Sequence, residues 1–278
     1  MKISIVILHF GDISVTQKCV RSLKNFETEK FSLIIVNNTT SILSKKDFPG
    51  LSDVVVINNE KNLGFAGGVN KGIRYSLYKK MDSVMLLNND TKINKSVLKV
   101  LAPMLDDKNI GIVAPRISFE KDGKKTSDLG GHITMPFGKT YHTEISDKNV
   151  EISSKIDYVS GCCMLIKRKV FEKIGLFDDR FFLYYEDVDF CLRAKKAGFG
   201  IKVYPQVVIQ HELSKSAGKM SKLSIYNQIK SAALFGKKYF KGSKRIPNVL
   251  FVFFQTLLFF KASPINTIRA ITSLKFLL

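Results

Sequence analysis

The sequence predicts an α/β fold in which a mostly parallel central sheet is flanked by helices and followed by a basic helical tail. Three observations carry this expectation. Short apolar runs rich in Val and Ile recur through the first 115 residues, nearly continuous in character, as strands buried on both faces are. Segments with helical spacing lie between them, so strand and helix alternate. Right-handed crossovers then bring the carboxyl ends of the strands to one edge, where ligands bind. The length of 278 residues is enough for one large core or two modest ones.

The elements follow in order. The run ISIVIL (3–8) stops at Gly11-Asp12 without a small-residue cleavage site, so a buried strand explains it better than a secretion signal. Val15, Cys19, Ser22, Leu23 and Phe26 are spaced as a helix face, and SLIIV (32–36) and VVVI (54–57) follow as strands. A helix is expected from Val69 to Lys80, a strand at SVMLL (83–87), a helix from Ser96 to Leu105 and a strand at IGIVA (110–114). Residues 118–155 are rich in Lys, Asp, Ser and Gly and weakly periodic, which predicts hairpins or a mobile loop region, the least ordered part of the chain. YVSGCCMLIKR (158–168) reads as a strand, and the short helix from Lys169 is stopped by Gly175. YYEDVDFCLRAKKAG (184–198) carries acids early, Lys and Arg late and a closing glycine, the charge order that complements a helix dipole. IKVYPQVVIQH (201–211) is the last strand, which makes residues 1–213 one domain and 214–278 a tail. No internal repeat is present.

Composition narrows the function classes. With 45% hydrophobic and 24% charged residues, 18 Gly and 7 Pro, the chain is not disordered, collagen-like or of low complexity. Four cysteines (Cys19, Cys162, Cys163, Cys191) without a CxxC give no disulfide framework or zinc site, and buried free thiols are expected. The net charge of +20 is uneven: residues 214–278 hold twelve Lys and Arg and no acid, leaving +8 for residues 1–213. Such a field attracts nucleic acid or anionic lipid. The apolar run VLFVFFQTLLFF (Val249 to Phe260) favours lipid, so no nucleic-acid partner is expected. As a helix these residues reach only ~18 Å, short of the ~30 Å hydrocarbon core, so the run is expected to lie on a membrane or to pack, against the rest of the chain or in a homo-oligomer.

Four constellations carry chemistry, each with two readings. LLNNDT (86–91) ends a buried strand in Asn88, Asn89 and Asp90, which suits a divalent cation on phosphates or simply a turn that caps the next helix. NLGFAGGVNKG (62–72) brings backbone N–H groups to a diphosphate or merely lets strand and helix pack closely; it is neither GxGxxG nor a Walker loop. Glu186, Asp187 and Asp189 open a helix, either for chemistry or for dipole compensation. Their spacing puts Glu186 and Asp189 on one face and Asp187 on another. His211 closes a strand as a ligand or as a structural histidine.

Taken together and in this order, VILHFGDISVTQKCVRSL, NLGFAGGVNKGI, LLNNDT, GCCMLIKRKVFEKIGLFDDRFFLYYEDVDFCLRAKKAGF and the strand ending in His211 make the sequence resemble the family 2 glycosyltransferases of GT-A fold. The similarity runs from Lys2 to about His211 and is strongest to the bacterial rhamnosyltransferase-like branch, with residues 161–199 its most specific part. The resemblance implies an inverting transfer of a sugar from a nucleoside diphosphate to a lipid-linked or growing surface glycan. It implies Mg²⁺ or Mn²⁺ at Asp90 and His211, where the first carboxylate of the DxD-type motif is Asn88 in this chain. It implies a catalytic acidic pair, Glu186 and Asp187, with Asp187 as the base. Donor contacts are implied at Phe10, Asn37, Asn38, Asn62, Gly64, Phe65, Asn89 and Asp90, and an acceptor floor at Gly161, Cys162 and Cys163. The family usually has an Asp within the pair at Asn37-Asn38; an amide oxygen accepts the same hydrogen bond from a pyrimidine N–H. The tail is then expected to hold the protein on the inner face of the cell membrane, against an anionic surface, with the enzyme otherwise cytoplasmic. A sugar-phosphate nucleotidyltransferase would place a Gly-rich basic loop after the first strand, where this chain has HFGDIS. A non-catalytic membrane or nucleic-acid binder would not need the clustered acids, which repel phosphates unless a cation sits between.

Overall fold

The computed structural model describes residues 1–51, 53–121, 123–146, 156–212 and 221–273. The N-terminal half alternates as expected: β1 (Ile3–His9), α1 (Ile13–Phe26), β2 (Ser32–Asn37), β3 (Val54–Asn58), α2 (Gly64–Tyr78) and β4 (Ser83–Asn88). Asp12 caps α1 by accepting from the Ser14 N–H at 2.8 Å. The four strands lie in the order β3-β2-β1-β4, all parallel, with Val6 level with Ile34 and Leu86.

Beyond β4 the sheet becomes mixed. A two-residue strand, β5 (Thr91–Lys92), and α3 (Leu98–Met104) precede β6 (Ile110–Lys121), which runs well past the IGIVA segment. β7 (Lys124–Thr134) and β8 (Lys139–Ser146) build the hairpin expected after Pro115, as an antiparallel extension of β6; residues 147–155 of that segment lie outside the described residues. β9 (Cys163–Lys167) inserts antiparallel between β4 and β6, and β10 (Gly200–His211) runs parallel to β6 on its other side. The result is a ten-stranded sheet whose main path is β3-β2-β1-β4-β9-β6-β10-β5. The apolar runs of β4 and β9 do not reveal their opposite directions, because a strand buried on both faces reads alike in either.

Alternating side chains feed two cores, one on each face. Ile5, Ile7, Leu33 and Ile35 pack with Cys19 and Leu23 of α1 and Leu98 and Leu101 of α3. Val6, Ile34, Val84 and Leu86 pack with α2, with α4 (Arg168–Ile174) and with α5 (Glu186–Lys196). All four cysteines are buried and free.

The boundary expected at 213/214 falls on residues outside the described ones. Past it, α6 (Lys222–Tyr239) joins the second core through Ala232 and Phe235. It is also tied to α5 by charge: Asp189 is fully buried and meets Arg193 at 2.8 Å, Lys238 at 2.6 Å and the Tyr239 hydroxyl at 2.7 Å. α7 (Ile246–Ala262) and α8 (Pro264–Ile271) follow and expose far more apolar surface.

Candidate functional site

The carboxyl ends of β1, β2 and β4 meet the amino ends of α2 and α5 at one edge of the sheet, and the expected site residues gather there. The Asn88–Asp90 turn is closed by the Thr91 hydroxyl, which donates to the Asn88 carbonyl at 2.7 Å. Register then decides the partner of Asp90: β5 pairs antiparallel with β10, His211 opposite Thr91, and the Glu212 N–H donates to the Asp90 carbonyl at 2.8 Å. His211 Nε2 thus stands 3.0 Å from Asp90 Oδ1, both side chains largely buried. Asn89 points another way. Its amide donates to Thr16 Oγ1 at 3.0 Å and to the Phe10 carbonyl at 3.3 Å, so it holds the loop after β1 and leaves the Phe10 ring exposed.

The amino end of α5 is aimed by two consecutive left-handed residues, Tyr184 and Tyr185, each at φ +68°. Non-glycine residues adopt this conformation at a cost, and the tyrosines are held in it by their hydroxyls. Tyr185 donates to the Gly138 carbonyl at 3.0 Å, and Tyr184 lies 3.0 Å from Ser224 Oγ on α6. Glu186 and Asp187 both face one cavity, whereas Asp189 turns to α6. This corrects the helical-face expectation that grouped Glu186 with Asp189. At the first turn the cavity wraps round the helix end, so consecutive residues both reach it.

Asp187 accepts from the Gly161 N–H at 2.9 Å and from the Val188 N–H at 2.8 Å. Burial nonetheless raises its carboxyl above the ordinary range, opposed by those N–H groups and by the charge of His142. Glu186 is raised further, by burial first and by Asp187 second, and its Oε2 has no hydrogen-bond partner among the described residues. A buried carboxylate oxygen with no protein partner, facing a cavity, is suited to meet a ligand.

The glycine and the side-chain amide of the 62–65 turn serve to join loops. Gly64 sits at φ +72°, and a Cβ there would fall 2.3 Å from the Phe182 carbonyl, while the Phe65 N–H donates to that same carbonyl at 2.7 Å. The turn is thereby fastened to the segment that leads into α5, and Phe65 is laid against Gly161, where a Cβ would meet its ring at 3.1 Å. Asn62 Oδ1 accepts from the Gly64 N–H at 2.9 Å.

Asn37 and Asn38, where donor contacts are implied, are held by protein partners. Both are buried. Asn37 donates to Asn58 Oδ1 at 2.8 Å and accepts from the Thr39 N–H at 2.9 Å; Asn38 donates to the Gly64 carbonyl at 2.8 Å and accepts from Asn59 at 2.8 Å. Their polar atoms are engaged by the protein, so they shape the loops beside the site. Cys163 also departs from expectation: as the first residue of β9 it is fully buried in the core on the α1 and α3 face, while Gly161 and Cys162, just before the strand, line the cavity.

The cavity holds about 920 Å³ and runs from Asn88 and His211 past Asp187 to Phe251, Phe254 and Leu258 of α7. Several lining residues were not legible in the sequence, among them Lys139, Thr140, His142 and Tyr158. His142 Nδ1 lies 2.9 Å from Asp128 Oδ2, and its ring meets Tyr158 edge-on at 5.2 Å. Burial works against a charged imidazole here, but the Asp128 hydrogen bond and charge outweigh it and raise the His142 pKa.

With the geometry in place, comparison supplies the family. Residues 2–229 match the family profile described as glycosyltransferase-like family 2. The chain belongs to that family. Among curated relatives, the low-salt glycan biosynthesis hexosyltransferase Agl10 of Haloferax volcanii is 29% identical over 203 residues, 72% of this chain and 63% of that one. The dTDP-rhamnosyl transferase RfbF of Shigella flexneri is 23% identical over 214 residues, 74% of this chain and 71% of that one. The fold is likewise shared. GalNAc-T7, solved with UDP, GalNAc and Mn²⁺, matches 99% of this chain with a TM-score of 0.64 at 15% identity. The mannosyltransferase PcManGT of Pyrobaculum calidifontis, solved with GDP-Man and Mn²⁺, matches 98% with a TM-score of 0.57 at 11% identity. The chain spans 63% of the length of Agl10 and 58% of the GalNAc-T7 chain.

Proposed function

We propose that this family 2 member is an inverting glycosyltransferase that moves a hexose, with rhamnose the leading candidate, from a nucleoside diphosphate to a lipid-linked or growing glycan. One observation carries the reading: His211, 3.0 Å from Asp90, lines the same cavity as Asp187 and Glu186. A site for an anionic leaving group thus adjoins a raised carboxylate suited to accept a proton. The names of RfbF and Agl10 support the donor class.

Asp90 and His211 offer one carboxylate and one imidazole, and among the described residues no group of three or more His, Cys, Asp or Glu forms a metal-ligand cluster. Two protein donors fit Mn²⁺ or Mg²⁺ taken up together with the donor, whose diphosphate oxygens and waters complete a hard-cation shell. Bound there, the cation would neutralise charge that grows on the departing diphosphate.

The protein's own residues do the rest. The acceptor hydroxyl oxygen bonds to the sugar C1 as the C1–O bond to the diphosphate breaks, and the hydroxyl proton passes to Asp187. The Gly161 and Val188 N–H groups fix the direction of that carboxylate. Glu186 lines the cavity, and its unpartnered Oε2 takes a hydroxyl of the bound sugar as hydrogen-bond partner. A single base with no second carboxylate acting as nucleophile gives one displacement and an inverted anomeric centre. The basic tail holds the protein to the cytoplasmic face of the cell membrane. Calorimetric titration of nucleotide sugars with and without Mn²⁺ tests the reading: binding is expected to need the cation and to be lost in Asp90→Ala. A folded Asp90→Ala variant that binds donor as the wild type does would refute the metal assignment.

A further inference from the structure

α7 carries two apolar faces. Val249, Leu250, Phe253, Leu257 and Phe260 are 47–57% exposed, and Ile265, Ile268 and Ile271 of α8 extend the surface at 43–65%. Phe251, Phe254, Leu258 and Phe259 line the cavity that holds Asp187, with Phe254 and Leu258 at its open mouth, 60% and 68% exposed. At 3.6 residues per turn these two sets centre on opposite sides of the helix. A soluble surface seldom leaves so continuous an apolar face to water, and an occupant is implied. Charge selects which: Lys244 and Arg245 precede the stripe, Lys261 and Arg269 follow it, and residues 214–278 contain no acid. A second copy of the same basic surface would repel, whereas anionic headgroups are complementary.

We propose that α7 and α8 lie in the interface of an anionic bilayer, with the outer face of α7 among the lipids and its inner face leading from the bilayer into the cavity. The acceptor then enters from the membrane along α7, which makes a substrate with a hydrocarbon anchor the class this cavity takes. This deepens the catalytic reading of the cavity and rests on it for the acceptor alone. By length and composition the stretch Gly242–Ala262 is sufficient to cross a membrane. Crossing would remove α7 from the cavity wall and strip the buried Asn248 side chain of its 2.8 Å hydrogen bond to the Phe137 carbonyl, so the helix lies along the surface.

The test uses the full chain and vesicles of phosphatidylcholine with or without phosphatidylglycerol. The wild type is expected to float only with phosphatidylglycerol, and Phe253→Asp with Leu257→Asp to lower partitioning about tenfold or more. Nucleotide-sugar binding by the double variant should stay unchanged, which separates this proposal from the catalytic one. A dye on Phe253→Cys and another on Phe251→Cys, a partly buried residue of the cavity wall, report depth and direction: brominated lipid should quench both, since the cavity mouth opens on the bilayer. Quenching at Phe253→Cys alone would overturn the lipid path into the cavity. A wild type that never floats, or a stripe buried in a dimer that ignores vesicles, would overturn the membrane interface.

Discussion

Replacing Asp187 by Asn removes the proposed base while nearly preserving its shape. The two carboxylate oxygens accept N–H groups from Gly161 at 2.9 Å and Val188 at 2.8 Å, and an amide can satisfy only one of them. The other N–H is left facing an NH₂ group, which costs about 1–3 kcal/mol of folding stability. Part of that is recovered, because burial already disfavours the ionised carboxyl. The net loss is expected to stay below about 2 kcal/mol and the variant to fold. Transfer should suffer more: losing a positioned base lowers kcat by roughly 10²–10⁴, equivalent to about 2.7–5.5 kcal/mol at the transition state. Steady-state assay of nucleoside diphosphate release, with donor binding measured separately, distinguishes the two effects. Donor affinity should persist as kcat falls. A variant that turns over within threefold of wild type, while Glu186→Gln is dead, would show that the two acids have exchanged roles.

Other outcomes follow from the same geometry. Glu186 has a raised folded pKa, so its contribution favours the folded state below the ordinary carboxylate pKa and is lost as pH rises through the folded value. Glu186→Gln should therefore raise the urea midpoint at neutral pH, with the gain closing in acid; a gain that persists undiminished in acid would contradict a charge penalty. Gly64→Ala forces a left-handed alanine onto the Phe182 carbonyl, and the strain and overlap together should cost about 2–5 kcal/mol by urea denaturation. His142→Gln removes a positive charge that lowers the Asp187 pKa, so the acid limb of the pH–rate profile should move to higher pH; an unmoved limb would remove His142 from the electrostatics of the base.

The fold class was legible because the strands of the N-terminal half are buried on both faces and so spell continuous apolar runs. Strand direction was not: β9 lies antiparallel between β4 and β6, and nothing in CMLIK encodes that. The site was legible where polar residues interrupt apolar elements, at Asn88–Asp90 and at Glu186-Asp187. It was illegible where tertiary pairing decides. The pairing of His211 with Asp90 was implied by the family resemblance alone, because the contact depends on the two-residue strand β5, too short to leave a pattern. His142 reaches the cavity from a hairpin of mixed polarity, where its state is set by Asp128 on the paired strand and by the charges of Asp187 and Glu144. Donor contacts at Asn37 and Asn38 were implied by the resemblance; the hydrogen bonds that hold their side chains to Asn58 and to the Gly64 carbonyl come from loops distant in sequence and leave no local pattern. Periodicity also misgrouped Asp189, whose partners on α6 lie 49 and 50 residues away in sequence.

The most direct measurement is nucleoside diphosphate release from a panel of dTDP-, UDP- and GDP-sugars by the purified full chain on anionic vesicles, with Mn²⁺ and with chelator. The account predicts release from one donor class, dependent on the cation, abolished in Asp90→Ala and lowered by two or more orders in Asp187→Asn. Binding and release that are absent for every nucleotide sugar, from a folded protein supplied with Mn²⁺, would contradict it.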